Sequence, residues 1–258
     1  MHQNKKFDFF IKNFMEICYI KNKKSTYTTY KYLIYKWIDP FFKNYMISSI
    51  NEKEILKFID MLIKQKLDSK YIRDLLSILK QILKLANKKV SMPLPKYRKK
   101  DIKVLNNVEI NNLENYLKNN INSVNIGIYL SLYTGVRIGE LCAIRWSDID
   151  LDKKKLSINK SLKRVFVDEV KTSTHIVIDS PKSISSIREI PIPNFLINYL
   201  KTFKCNKNDY LLTGNDKYMD PRLFLMKYKK VLSFLNFPNY TFHTLRHTFA
   251  TRCIAIRL

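Results

Sequence analysis

Through the first ninety residues, apolar side chains recur every three or four positions, the period of a helix with one buried face. Phe10, Phe14 and Ile17 mark a first helix. Tyr30, Leu33, Ile34 and Trp37 mark a second, with Ser25 placed to cap its start and Pro40 to close it. Asn51 can cap a third, with Ile55, Ile59 and Leu62 on one face. After Ser69 comes the longest stripe, Ile72, Leu75, Leu76, Leu79, Ile82, Leu83 and Ala86. Together these stripes predict a small helical bundle that buries them as its core.

The pattern then breaks. Residues 91–100 read SMPLPKYRKK. Two prolines at alternate positions exclude a helix, and cations follow at once. This predicts an extended linker whose Lys96, Arg98, Lys99 and Lys100 can lie along a polyanion. Beyond it, Asn106 or Asn107 starts a helix through Leu113 and Leu117, and another runs from Val124 to Leu132 and ends at Thr134-Gly135. Residues 156–193 change to stretches of period two, which predict three short antiparallel strands. Helices resume at Phe195–Phe203, at Pro221–Leu235 and from Thr244. The expected fold is mainly α with a small antiparallel β-sheet. It has two domains, 1–92 and 104–258, joined by the linker 93–103.

Composition narrows the function. Apolar residues make up 46% of the 258, enough for a folded core, and the formal charge is +25. Residues 1–103 carry 24 basic against 9 acidic residues, and residues 104–258 carry 23 against 13. Such a balance points to a polyanionic partner, either nucleic acid or an anionic membrane face, and its spread over both halves suits a clamp better than a basic tail. A lysine excess also follows from AT-rich coding, so arginine is the more telling cation: there are 37 Lys and 10 Arg. Cys18, Cys142, Cys205 and Cys253 form no CxxC pair, which suggests neither a disulfide framework nor a zinc knuckle and fits a reducing cytosol. No apolar run reaches membrane-spanning length, and the N-terminus lacks a signal-peptide core. The expectation is a cytoplasmic protein.

Two stretches carry candidate chemistry. In Thr134-Gly135-Val136-Arg137-Ile138-Gly139-Glu140-Leu141, a glycine turn delivers Arg137 to the start of a short helix, where a guanidinium can grip phosphate with two parallel donors. In His243-Thr244-Leu245-Arg246-His247-Thr248-Phe249, His243 and Arg246 share one helical face while Leu245 and Phe249 turn inward. His243 and His247 lack a third ligand nearby for a metal.

These stretches, TGVRIGELCAIRWSDID and HTLRHTFATR, resemble the two signature motifs of the tyrosine recombinases, the phage-integrase family. The segment between, PKSISSIREIPIP from Pro181 to Pro193, resembles that family's strand-turn-strand with the active-site lysine. The helical N-terminal region resembles its core-binding domain. The resemblance implies a tyrosine that attacks a DNA phosphate to give a 3′-phosphotyrosyl link and a free 5′-hydroxyl, without metal or nucleotide cofactor. By position, Arg137 and Arg246 would clamp the non-bridging oxygens and Lys182 would protonate the leaving oxygen, with Lys171 as the alternative lysine. His243 would assist proton transfer, and Glu140 and His247 would support from behind. The partner implied is double-stranded DNA, held by a homotetramer on paired sites, in the service of a mobile element. In that family the nucleophilic Tyr follows the second motif. Here no Tyr follows Arg246, so the resemblance implies a catalytic domain cut short and inactive alone. The alternative left open is a non-catalytic DNA-binding remnant that occupies attachment sites.

Overall fold

The computed structural model describes residues 5–97, 101–166, 174–179, 187–203 and 206–255. The chain divides into two compact units, Met1–Lys100 with Arg164–His175, and Asp101–Lys163 with Ile176–Leu258. The architecture is mainly helical with small antiparallel sheets.

The first unit holds α1 (Phe7–Lys21), α2 (Lys24–Leu33), α3 (Asp39–Phe42), α4 (Glu52–Lys64) and α5 (Ser69–Leu85). Its core joins the stripes read from the sequence, with Phe10, Phe14, Leu33, Ile34, Ile55, Leu62, Leu75 and Leu79 all buried. Each such side chain contributes about 1.5–3 kcal/mol by leaving water. Asn51 caps α4 by accepting from the Lys53 amide at 2.8 Å, as expected. Asp68 caps α5, accepting from the Lys70 amide at 2.8 Å.

Two expectations for the second helix fail. Ser25 is not its cap. The helix begins at Lys24 without a side-chain cap, and the Ser25 carbonyl instead accepts from Thr29 Oγ1 at 2.7 Å. Pro40 does not end it either. The chain continues through a π-helical turn, Ile34–Ile38, and Pro40 stands in the first turn of α3. A proline has no amide hydrogen to donate, and here it follows closely on that π-helical turn.

The second unit runs from α6 (Asn107–Asn119) and α7 (Ser123–Thr134) through α8 (Ile138–Leu141) into the strands. It then continues as α9 (Asn194–Leu200), α10 (Pro221–Phe234) and α11 (His243–Ala255). Asn106 starts α6 with a reciprocal cap: its side chain accepts from the Glu109 amide and Glu109 accepts from the Asn106 amide, both at 2.9 Å. The three strands expected over 156–193 are an undercount. Five strands are present among the described residues: β1 (Ile149–Asp150), β2 (Lys155–Ile158), β3 (Ser161–Phe166), β4 (Thr174–Asp179) and β5 (Arg188–Pro191). All but β1 lie in the expected span or at its edge. One sheet has the order β1-β2-β5, all antiparallel, and β3 with β4 makes a second. The two-residue β1 is too short to show any alternation.

α7 is buried almost all round, from Val124 to Thr134, and packs against α6, α9, α10 and α11. It is the central post of this unit. α11 is fixed from another side as well. The buried Thr248 hydroxyl donates to the Thr244 carbonyl at 2.8 Å and accepts the Leu105 amide at 2.9 Å, so the segment leading into α6 is tied to the helix of the second motif.

Candidate active site

The site starts where α7 stops. Gly135 ends that helix in the left-handed conformation, φ 63°, with its amide on the Ser131 carbonyl at 3.0 Å. A Cβ at Gly135 would stand 2.6 Å from the Phe249 ring of α11. The turn therefore needs glycine for two reasons, its φ and the ring that presses on it. Gly139, one turn on, would bring a Cβ to 2.5 Å from the Leu162 carbonyl. Bare backbone at that position is what lets α8 seat against β3.

Between the two glycines stands Arg137, half exposed, as the residue that opens α8. Its amide donates to Glu140 Oε2 at 2.9 Å and its guanidinium to Glu140 Oε1 at 2.9 Å. Glu140 is buried, and a second arginine reaches it. Arg188 of β5 donates to Oε2 at 2.8 Å and to Oε1 at 3.2 Å, in forked geometry. Burial alone would push the Glu140 carboxyl up. The hydrogen bonds from Arg188 and from the Arg137 amide and guanidinium outweigh it and hold the pKa at about 2. The carboxylate is ionised throughout the neutral range.

The third arginine comes from α11. Arg246 donates to the carbonyl of Gly135. Burial lowers its pKa, and so do the charges of Arg137 and Arg188. It stays protonated at any ordinary pH. The two motifs, 111 residues apart at this contact, thus meet at one glycine turn. His243 opens α11, its ring 6.3 Å from that of His247. Partial desolvation lowers the His243 pKa, as do the charges of His247, Arg246 and Arg137, so its imidazole is neutral at neutral pH and able to take up a proton.

Of the residues singled out from the sequence, Arg137, Glu140, Arg246, His243 and His247 therefore gather in the second unit. Lys96 is exposed in the first. Arg98, Lys99, Lys100, Lys171 and Lys182 lie outside the described residues. Arg188, which no sequence pattern singles out, joins this cluster through Glu140. What signal there is lies in its type, one of only 10 arginines, inside the segment singled out for its lysine. Arg145, the other arginine of the first motif, does not join the cluster's carboxylate. It lies 4.5 Å over the Tyr210 ring and donates to the Asn208 carbonyl at 3.0 Å, which marks it as structural.

Three guanidiniums around one carboxylate leave an excess of positive charge with donors facing solvent. Such an arrangement can receive an oxyanion. Among the described residues no group of three or more His, Cys, Asp or Glu could hold a metal ion. No helix among them is long and apolar enough to cross a membrane.

Comparison with known proteins places the chain in a family. Residues 103–255 match the phage integrase family, and residues 6–63 match the phage integrase N-terminal SAM-like domain. A tyrosine recombinase XerC-like protein of Caldanaerobacter subterraneus is 29% identical over 80% of this chain and 61% of its own length. The ICEBs1 integrase of Bacillus subtilis is 26% identical over 74% of this chain and 52% of its own. The chain thus spans between half and two thirds of these relatives. In fold it is similar to the Tn1549 transposon integrase solved in complex with transposon right end DNA: TM-score 0.79, 18% identity, 98% of this chain and 88% of that one. A lambda integrase dimer bound to a core site gives a TM-score of 0.65 at 15% identity, over 96% of this chain and 70% of that one. With the family pattern matched over more than half its length, and both motifs folded into one cationic site, the chain belongs to the phage integrase family of tyrosine recombinases.

Proposed function

We propose that the chain binds double-stranded DNA and takes one backbone phosphate between Arg137 and Arg246, as part of a site-specific recombinase or integrase of a mobile element. The observation that carries this is the meeting of the two arginines at the Gly135 turn, with Arg246 on its carbonyl and Arg137 two residues on. Two guanidiniums there would hold the non-bridging oxygens and oppose the charge that builds up in the transition state. His243, neutral in the resting protein, would take up or return a proton at the attacking oxygen. Lys182 would supply the proton to the leaving 5′-oxygen.

The rest of the chain serves grip. The helical residues 1–92 and the basic linker 93–103, with Lys96, Arg98, Lys99 and Lys100, would add contacts to the duplex beyond those of residues 104–258. The two solved integrases named above were bound to DNA, and one lambda integrase structure is a tetramer bound to a Holliday junction. That supports a tetramer on paired sites as the working assembly.

No tyrosine follows Arg246 within the 258 residues. Tyr240, which precedes it, is buried, and its hydroxyl donates to Glu109 at 2.9 Å. Its pKa is raised by burial and by Glu109, the opposite of an activated nucleophile. On this reading these residues alone bind DNA and hold a phosphate without forming a covalent link.

The test is incubation with a radiolabelled nicked duplex, run once on a native gel and once on a denaturing gel. We expect a mobility shift and no detergent-stable adduct. Failure to bind DNA would overturn the proposal. An adduct formed by this chain alone would overturn the nucleophile argument and turn attention to Tyr240.

A further inference from the structure

The carboxylate of Glu140 poses a problem for a site that must receive an anion. A single buried Glu beside Arg137 would form a closed ion pair, with the guanidinium turned inward and its charge cancelled. A phosphate arriving there would have to compete with that carboxylate. Arg188 changes the balance. Its fork covers both oxygens of Glu140, at 2.8 and 3.2 Å, while Arg137 spends one guanidinium nitrogen on Oε1 and its amide on Oε2. Arg188 is three-quarters shielded from solvent, whereas Arg137 is half exposed. The inner arginine thus neutralises the carboxylate, and the outer one keeps donors and charge for a ligand.

We infer that Arg188 is a positioning residue for the phosphate site: by occupying Glu140 with a two-donor fork, it keeps Arg137 available to an oxyanion. This rests on the reading that Arg137 and Arg246 grip phosphate. The strand register makes the placement possible, since Arg188 pairs with Ile158 in the β2–β5 ladder and so comes to Glu140 from 48 residues away. Lys cannot replace it well, because an ammonium has no planar fork to match both carboxylate oxygens.

The depressed pKa of Glu140 agrees with this arrangement, with Arg188 the largest of the influences that hold it down. Substituting Arg188 would leave an ionised carboxylate with Arg137 as its main partner. Arg137 would then be drawn inward, and the local excess of cations over Glu140 would fall from two to one. A double variant that also removes the Glu140 charge returns that excess to two and releases Arg137. A residue that only supports the fold would not be rescued in this way.

The experiment uses the chain itself and inorganic phosphate, with binding followed by 31P NMR at low ionic strength. Arg188→Gln should weaken phosphate by at least about threefold, and Arg188→Gln with Glu140→Gln should recover most of the loss, as coupled neighbours do. Arg188→Lys should lie between the parent and Arg188→Gln. Lys155→Gln, which removes one cation from the same sheet where it pairs with the exposed Glu189 at 2.7 Å, should stay within about twofold of the parent. If the parent binds phosphate and Arg188→Gln binds it equally well, or if the double variant is no better than the single one, the inference is overturned while the arginine site stands. If the parent shows no binding, the phosphate-site reading falls, and this inference with it.

Discussion

The guanidinium of Arg246 donates to the carbonyl of Gly135, so the second motif's arginine holds the turn that presents the first motif's arginine. The spacing of the two cationic groups is therefore set by a backbone atom, not by side-chain chance. The Phe249 ring, one turn further along α11, closes on the same glycine from its Cα side.

Gly135→Ala should damage this junction. A Cβ would meet the Phe249 ring at 2.6 Å, and φ 63° is unfavourable for any residue with a Cβ. The conformational part alone costs about 1–2 kcal/mol. We expect a lower urea midpoint and weaker DNA binding together. Gly135→Ala with an unchanged midpoint would mean that the turn relaxes freely and that its geometry is not what sets the site.

How far the sequence shows this in advance depends on distance along the chain. Glycine at the end of an apolar helix signals a left-handed stop, and Glu140 three residues after Arg137 signals a local cap, so both are legible from spacing. The helical stripes from Phe10 to Leu83 are legible because each helix carries its own period. Arg188 is not, because its partner lies 48 residues away and only the β2–β5 register brings the two together. The strands are undercounted for a similar reason. A two-residue strand such as Ile149–Asp150 exists through its pairing with Leu156 and Lys155, not through a pattern of its own. At Pro40 the rule that proline ends helices stops the helix one turn too early, since a π-helical turn lets the chain restart around it.

Glu140 should make stability depend on pH in a defined window. Its folded pKa of about 2 lies below the ordinary 4.5, so the ionised group stabilises the fold above that ordinary value. The contribution, of order 3 kcal/mol at most, is lost as pH falls from about 4.5 towards 2. Glu140→Gln should be less stable than the parent at pH 6, and the gap should close on acidification. Urea unfolding of both chains from pH 6 to pH 2 measures it. A gap that stays constant would show that Glu140 is not held in its ionised form by Arg137 and Arg188.

Binding to duplex DNA should fall steeply with salt. The formal charge of +25 is shared by both units, so several phosphates can be neutralised at once. If about six are, log K falls with log salt at a slope near −5. Filter binding between low and moderate salt gives the slope directly. A value near zero would exclude a grip built on backbone charge.

His243 should report the arrival of a phosphate. In the free protein partial desolvation lowers its pKa below 6.5, and the charges of His247, Arg246 and Arg137 lower it further. An anion held by Arg246 and Arg137 would offset those two charges and favour the imidazolium, so the pKa should rise on binding. The ring's own stability contribution follows the same sign: a depressed folded pKa means that protonation favours the unfolded chain, and stability falls as pH drops through the ordinary value. Histidine NMR titrations with and without a short duplex separate the cases, with Arg246→Gln as the control that should raise the free-protein value. A His243 pKa above 6.5 in the free protein, or one that moves down when DNA is added, would place the imidazole away from the phosphate and remove it from the proton path.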